Sequence, residues 1–357
     1  MLLAAGGTGG HLTPALAVGA ELESRGARIA FVTTPAQAAL PPDRWAVRTL
    51  DMRGFERRLT ARSNLTTLRL LAAAAPRALG ILRELRPDAV VGGGGFASGP
   101  VVALAGARGT PAVALEADAS LGVTNRLLRP FVDRLCLSFP IPGLEPPKFV
   151  VTGRPLAAAQ VAATRAEGLA AFDLRDDLPV VVVFGGSQGA QSLNRACLDA
   201  FSGELPFQLV HVCGPRNHDE VRAELERRGA RFERYRLLPY TPLLAQAMAA
   251  ADLVVARSGG SVAEIAALGR PAILVPYPHA TADHQRLNAE WMAAGGAALV
   301  VDDAALSGEL LGRLVAEVLG DDERRARMAA ASRRLGRPDA TRRVADTIEA
   351  LMEAKGR

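Results

Sequence analysis

The feature that most constrains this chain is a short apolar run, a glycine-dense turn and a helix start, and it occurs twice. At the N-terminus Met1-Leu2-Leu3-Ala4-Ala5 runs into Gly6-Gly7-Thr8-Gly9-Gly10-His11, and 179 positions later Val180-Val181-Val182-Val183-Phe184 runs into Gly185-Gly186-Ser187-Gln188-Gly189-Ala190. An uninterrupted apolar strand is buried on both faces, which a parallel sheet covered by helices provides. Glycines directly after the strand let the backbone approach a ligand, and the N–H groups opening the next helix favour negative charge. Each turn therefore reads as a cradle for a phosphate or a developing anion, or as a bare strand-to-helix turn. His11 favours the ligand, because an imidazole in the first turn of such a helix suits acid–base work better than core packing.

Two common phosphate loops are excluded. A dinucleotide fingerprint needs a third glycine and an acidic residue about 20 positions on. Here Gly7-Thr8-Gly9-Gly10-His11-Leu12 lacks that glycine, and the next strand ends in Thr33-Thr34. A P-loop needs Gly-Lys-Ser/Thr, and no lysine follows. Composition narrows the class further. A chain of 357 residues suits two domains. No apolar run is long enough to span a bilayer, and no signal peptide is expected from the opening residues. Cys136, Cys197 and Cys213 are few, odd in number and widely spaced, which indicates buried packing residues in a reducing compartment rather than disulfides or a metal site. The net charge of +5 rests almost wholly on arginine, since Lys148 and Lys355 are the only lysines.

Apolar strands alternate with helices from end to end. This predicts doubly wound parallel sheets with ligands at the carboxyl ends of their strands. A second glycine loop, Gly92-Gly93-Gly94-Gly95-Phe96-Ala97-Ser98-Gly99-Pro100, follows the strand at 88–91. A Pro- and Ala-rich linker at 153–163 separates two Rossmann-like halves, expected to face each other across a cleft, where small-molecule sites tend to lie. Further strands are expected at 111–115, 134–138, 208–213, 231–237, 253–256 and 272–276. A helix at 121–129 is expected too, with Asp118 as a possible N-cap.

Two segments carry more polarity or charge than a fold needs. Between 57 and 86 seven arginines face one acid, Glu84, with leucines interleaved. Leu65, Leu68, Ala72, Ala75, Leu79 and Leu82 give the inward stripe of helices broken at Pro76. Leu70 and Leu71 beside Arg58, Arg62 and Arg69 are surplus to that stripe, as on a patch that docks on an acidic membrane surface; a solvated face is the plain alternative. In the second half, Arg257-Ser258-Gly259-Gly260-Ser261-Val262-Ala263-Glu264 puts a carboxylate in a first helical turn. There it can favour the helix dipole or hold the two hydroxyls of a ribose. Residues 277–288 gather further polar groups, Gln285 among them.

Taken together, the segments 6–11, 92–100, 185–190, 257–264 and 279–289, in this order and spacing, resemble the MurG family. These are the undecaprenyl-diphospho-muramoylpentapeptide N-acetylglucosaminyltransferases of bacterial cell-wall synthesis. The likeness covers nearly the whole chain. It implies a GT-B fold, with an acceptor domain at 1–153, a UDP-sugar domain at 154–337 and a last helix at 338–357 packing back on the first. The implied reaction transfers N-acetylglucosamine from UDP-N-acetylglucosamine, with inversion, to the 4-hydroxyl of the muramyl sugar of lipid I. The products are lipid II and UDP, and no cofactor or metal is required. His11 is the implied base. Thr8, Gly9, Gly10 and Asp118 are assigned to the donor, with Ser187, Gln188 and Gly189 at its diphosphate, Tyr240 and Thr241 at the uracil, Gly260, Ser261, Val262 and Glu264 at the ribose side, and Gln285 on the sugar. Gly93, Gly94, Gly95 and Ser98 are assigned to the acceptor. Arg58, Arg62, Leu65, Arg69 and Leu70 form the expected membrane patch, on a protein peripheral to the cytoplasmic face of the plasma membrane. No nucleic acid is expected as a partner.

The chain departs from the family pattern at three places, one of them a residue missing between Arg257 and Glu264. Leu115-Glu116-Ala117-Asp118 stands where His-Glu-Gln-Asn is usual, and Gly153-Arg154-Pro155-Leu156-Ala157 where Gly-Asn-Pro-Val-Arg is usual. The rival readings are a UDP-N-acetylglucosamine 2-epimerase, sharing fold and donor but lacking a lipid acceptor, and a non-catalytic nucleotide-sugar sensor. The basic, leucine-bearing segment 57–86 speaks against the first, and the intact His11 against the second.

Overall fold

A computed structural model describes residues 1–7, 9–51, 62–229 and 232–357, giving for 62–72 the backbone alone. Thr8 and Arg58 lie outside the described residues. The chain forms two compact units, Met1–Ala157 with Asp339–Arg357, and Ala158–Pro338.

The first unit contains β1 (Leu2–Ala5), α1 (Gly9–Ser24), β2 (Ala30–Thr33), β3 (Ala46–Thr49), α2 (Arg62–Leu85), β4 (Val90–Gly94), α3 (Ser98–Ala107), β5 (Ala112–Glu116), α4 (Val123–Leu128), β6 (Arg134–Leu137) and β7 (Phe149–Val151). Among the described residues its strands form one parallel sheet in the order β3-β2-β1-β4-β5-β6-β7. Strand order reverses between β1 and β4, so the loops leaving these two neighbours diverge to opposite faces and leave a crevice at their carboxyl ends. The glycine segments 6–11 and 92–98 lie at those ends, with Gly92–Gly94 forming the last residues of β4 and Gly9 opening α1. The register supports this: Ala4 pairs with Gly92 but Ala5 with Gly94, a bulge that re-aims the end of β4.

Helix α1 is held between two layers. Leu12, Ala15, Val18 and Leu22 share one buried cluster with Leu3 and Ala5 of β1 and with Val344, Ala345, Ile348 and Leu351 of the C-terminal helix Ala340–Ala354. Arg25, at the end of α1, donates to Asp346 at 2.8 Å and Glu349 at 2.7 Å of that helix. The other face of the sheet is covered by α2 and α3, through Ala74, Ala78, Ile81, Leu82, Val101 and Val102.

The second unit contains α5 (Ala158–Val161), α6 (Arg165–Ala171), β8 (Val180–Phe184), α7 (Gln191–Phe201), β9 (Gln208–Val212), α8 (His218–Arg227), β10 (Tyr235–Leu238), α9 (Leu244–Ala250), β11 (Leu253–Ala256), α10 (Ser261–Ala267), β12 (Ala272–Leu274), α11 (His284–Ala294), β13 (Ala298–Val300), α12 (Gly308–Leu319) and α13 (Asp322–Leu335). The described strands are parallel in the order β10-β9-β8-β11-β12-β13. The reversal falls between β8 and β11, whose exits are the loops at 185–190 and 257–260. Every residue of β8 is buried, as its unbroken apolar run requires.

Three sequence expectations are corrected. Helix α2 runs unbroken through Pro76. A proline removes one helical hydrogen bond, and here Ala74, Ala78 and Ile81 on either side of it are buried in the core, so packing outweighs the local loss. Strand β10 begins at Tyr235, where its ladder with β9 starts at the pair Tyr235 and Leu209, after a turn at 232–234; residue 231 of the expected strand lies outside the described residues. Asp118 does not cap α4. The N-cap is Gly122, without a side-chain bond, because the turn from 116 to 122 is organised on Glu116 instead.

Two glycines inside helices provide a test of packing against propensity. Alanine for glycine in an exposed helix interior gains about 0.5–1 kcal/mol. At Gly80 a Cβ meets nothing within 4 Å, whereas at Gly19 it would stand 2.5 Å from the Trp45 ring, which is stacked on Phe31 and donates to Glu23. Gly80→Ala is expected to raise the denaturation midpoint of the first unit. Gly19→Ala is expected to lower stability by about 1–3 kcal/mol through overpacking. Equal shifts in chemical denaturation would show that Trp45 yields.

Candidate active site

In the first unit the two glycine loops meet backbone to backbone. Gly95, at φ +75°, lies so close to the Gly6 carbonyl oxygen that any Cβ would overlap it, and only glycine permits this approach. The His11 ring lies over Gly94, where a Cβ would come within 2.6 Å of Cδ2, while Nδ1 is about 4.0 Å from the corresponding position on Gly7. His11 is half-buried, and Gly9 and Gly10 beside it are exposed.

Gln37, which belongs to none of the sequence motifs, holds the first glycine turn. Its Nε2 donates to the Gly7 carbonyl at 3.0 Å and its Oε1 accepts from the Gly7 N–H at 3.1 Å, as a neighbouring strand would. Ser98 is fully buried and donates to the Gly95 carbonyl at 2.9 Å, which places it beneath the second loop. Gly93 is buried too, with α1 against it: a Cβ there would meet Ala15 at 2.6 Å and the His11 carbonyl at 2.9 Å.

Glu116 is the organising group of the segment that carries Asp118. Its Oε1 accepts from the N–H groups of Ala117 at 3.0 Å and Asp118 at 3.3 Å, and its Oε2 from Gly122 N–H at 2.8 Å and Asn125 Nδ2 at 2.9 Å. Burial holds its carboxyl above the usual range, and the donors from Asn125, Gly122 and Asp118 offset only part of that rise. Four donors on two oxygens describe the ionised form. Asp118 itself is half-buried. Arg154, 6% exposed, donates from Nη2 to the Gly10 carbonyl at 2.7 Å and from Nη1 to the Ala117 carbonyl at 3.4 Å.

In the second unit Ser187 and Gln188 stand exposed at the tip of the loop after β8, and the Gly189 N–H closes the turn on the Gly186 carbonyl. Helix α7 begins at Gln191 with no side-chain cap, so its first N–H groups face the exposed loop, where a phosphate is favoured. Beneath lies a buried polar chain that the sequence did not reveal. Asn194 Nδ2 donates to the Cys213 carbonyl at 2.9 Å, so Asn194 Oδ1 is an acceptor and His211 carries its proton on Nε2, 3.0 Å away. The Tyr235 hydroxyl then donates to His211 Nδ1 at 2.8 Å. Burial lowers the His211 pKa to about 3, so this imidazole is neutral and structural. Cys136, Cys197 and Cys213 are buried free thiols, pushed up by burial, Cys136 to about 12 and Cys213 to about 11.

The neighbouring loop after β11 is tied to α7 by Arg257. Its Nη1 pairs with Asp303 at 2.6 Å and its Nη2 donates to Ser192 at 2.8 Å, while Ser192 donates to Asp303 at 2.6 Å. Ser261 and Glu264 are half-buried on the first turn of α10. Val262 is buried, with its N–H on the Gly259 carbonyl. Gln285 accepts through Oε1 from the Tyr277 N–H at 3.0 Å, leaving Nε2 on the side of Gly259. Tyr240 is 63% exposed, and Thr241 accepts from Leu243 N–H at 3.0 Å. Arg62, Leu65, Arg69 and Leu70 lie on the helical backbone of α2, their side chains outside the described residues. No group of His, Cys, Asp and Glu among the described residues is arranged to hold a metal ion.

Comparison with known proteins gives the family. Residues 1–136 match the glycosyltransferase family 28 N-terminal domain, and residues 180–346 the glycosyltransferase family 28 C-terminal domain. The chain is 35% identical to a UDP-N-acetylglucosamine--N-acetylmuramyl-(pentapeptide) pyrophosphoryl-undecaprenol N-acetylglucosamine transferase of Halothermothrix orenii, over 98% of each chain. Among solved structures it is similar to MurG of Acinetobacter baumannii, with a TM-score of 0.78, 28% identity and coverage of 98% of this chain and 99% of that one. A putative UDP-N-acetylglucosamine 2-epimerase from Listeria monocytogenes shares the fold alone, with a TM-score of 0.71 at 15% identity over 99% of this chain and 96% of that one. With both halves matched and its full length shared with such relatives, the chain belongs to glycosyltransferase family 28.

Proposed function

We propose that this chain is an inverting N-acetylglucosaminyltransferase, moving the sugar from UDP-N-acetylglucosamine to the 4-hydroxyl of the muramyl sugar of lipid I to give lipid II and UDP. The observation that carries the reading is full-length similarity to transferases of that name, joined to a glycine loop at the strand-order reversal of each unit. Chemically, the first unit supplies the base. His11 takes the proton of the attacking hydroxyl, whose oxygen bonds to the anomeric carbon as the bond to the diphosphate oxygen breaks on the opposite face, inverting the centre. The second unit supplies the anion cradle: the N–H groups of the 185–190 loop and of the start of α7 receive the charge that develops on the leaving diphosphate. Tyr240 and Thr241 flank the uracil, Glu264 accepts from the ribose hydroxyls, and Gln285 donates through Nε2 to the sugar. Release of UDP that depends on a lipid I analogue tests the whole reading. UDP-N-acetylglucosamine turned over without acceptor would indicate the epimerase instead.

The donor assignment makes a prediction at Glu264. Removing a hydroxyl acceptor from a dry site costs about 1–3 kcal/mol, so Glu264→Ala should raise the KM for UDP-N-acetylglucosamine strongly with the fold unchanged. Steady-state kinetics in which KM and kcat both stay within about twofold would remove Glu264 from the ribose. At the base, His11→Ala is expected to lower kcat by about 10²–10⁴-fold with little change in donor KM. Asp118→Asn should keep most of the activity, because a carboxylate beside a leaving diphosphate opposes the charge the site must stabilise. The opposite pattern would exchange the two roles.

We further propose that the protein docks at the cytoplasmic face of the plasma membrane, on an anionic surface. No described helix is long and apolar enough to cross a membrane. Support comes from the seven arginines at 57–86 and, on the described surface, from Val123 and Leu127 one turn apart on α4, with Leu127 68% exposed. Basic residues near an anionic surface contribute up to about 1 kcal/mol each. Flotation should recover more protein with anionic than with neutral vesicles, and less as salt rises. Equal recovery with both, at low and high salt, would count against docking.

A further inference from the structure

We infer that Arg154 is a positioning residue that sets where His11 stands, an inference that rests on His11 being the base. The two carbonyls Arg154 holds belong to Gly10 and Ala117, the residues just before His11 and Asp118. In a helix that starts at Gly9 the Gly10 carbonyl would accept from the N–H of residue 14, and residue 14 is proline, which has none. Pro14 thus frees an acceptor inside the first turns of α1, and the buried guanidinium takes it. The two peptides flanking Ala117 are both held, the N–H of one by Glu116 and the C=O of the other by Arg154. Arg154 has its own anchor two residues on. There the Leu156 N–H donates to Thr341 Oγ1 at 2.9 Å, and that hydroxyl donates back to the Leu156 carbonyl at 2.6 Å.

The consequence for chemistry is geometric. The His11 ring has little room against Gly94, so its place follows that of its backbone, and the Gly10 carbonyl is the last backbone group before it. A planar guanidinium presents its donors in a fixed fork that reaches two separate carbonyls, whereas the three donors of an ammonium diverge from a single nitrogen and lack that spread. Misplacing a catalytic group by about 1 Å costs up to about 10²-fold in rate.

A double-mutant cycle tests this in the full chain, with kcat, donor KM and the thermal midpoint measured for Arg154→Met, His11→Ala and the double variant. Arg154→Met is expected to lower kcat about 10–100-fold with donor KM within about twofold, and to lower it no further in the His11→Ala background. Arg154→Lys should recover part of the loss. Multiplicative effects in the double variant, or an unchanged kcat in folded Arg154→Met, would overturn the assignment. Should Arg154→Met fail to fold, Pro14→Ala takes its place. The new N–H competes for the Gly10 carbonyl, so kcat is expected to fall with Arg154 present, and an unchanged kcat would overturn the clamp. The His11 imidazole nitrogen signals, read by NMR without substrate, should move in Arg154→Lys, and unmoved signals count against it whatever the turnover. Full activity of His11→Ala alone would instead strike the base assignment.

Discussion

The contact on which the first unit depends is the approach of two backbones, the Gly6 carbonyl against Gly95, at the point where the strand order reverses. Side chains keep neighbouring loops apart, and their absence here lets the exits of β1 and β4 close on each other and leaves the His11 ring seated on Gly94. The neighbouring features serve that contact. Gln37 holds the first loop from the side, Ser98 holds the second from below, and the bulge at Gly93 lets α1 settle on β4. The C-terminal helix closes the outer side of α1, so a segment more than 300 positions away in sequence supports the histidine.

The second unit solves the same problem with a buried polar chain. Tyr235, His211 and Asn194 pass hydrogen bonds in one direction to the Cys213 carbonyl, and Gly189 lies against that carbonyl too closely for any side chain. Every member is satisfied, which is what makes a buried network tolerable and gives it one arrangement. Because His211 stays neutral in the fold down to about pH 3, while an unfolded imidazole protonates near 6.5, the unfolded chain binds the extra proton between those values. This group therefore withdraws stability as pH falls through that window. The Arg257, Ser192 and Asp303 triad does the parallel work for the loop after β11, binding it to the first turn of α7.

Much of this was legible in the chain. Leu2–Ala5 and Val180–Phe184 announce buried parallel strands because an apolar run without alternation has no other stable place, and the glycines behind them announce loops of close approach. His11 and Glu264 were legible as candidate groups for the same reason, since each is a titratable side chain in the first turn of a helix that follows a glycine-rich loop. Asp118 misled as a cap. Its spacing from the helix is ordinary, and only the structure shows that Glu116 takes the amides of the turn and moves the N-cap to Gly122. Pro76 misled in the same way, because a local penalty was weighed without the packing that overrides it.

What the sequence determined by itself is what depends on neighbours in the chain: strand, turn and helix order, two parallel α/β halves, and the residue types gathered at each loop. What only the tertiary structure decided is what depends on partners far apart in sequence. Gln37 on Gly7, Arg154 on Gly10, and Asn194, His211 and Tyr235 in line beneath Gly189 follow from no local pattern. A hydrogen bond of this kind has a geometry that only the folded backbone sets, and any polar side chain of similar reach would look the same in the chain.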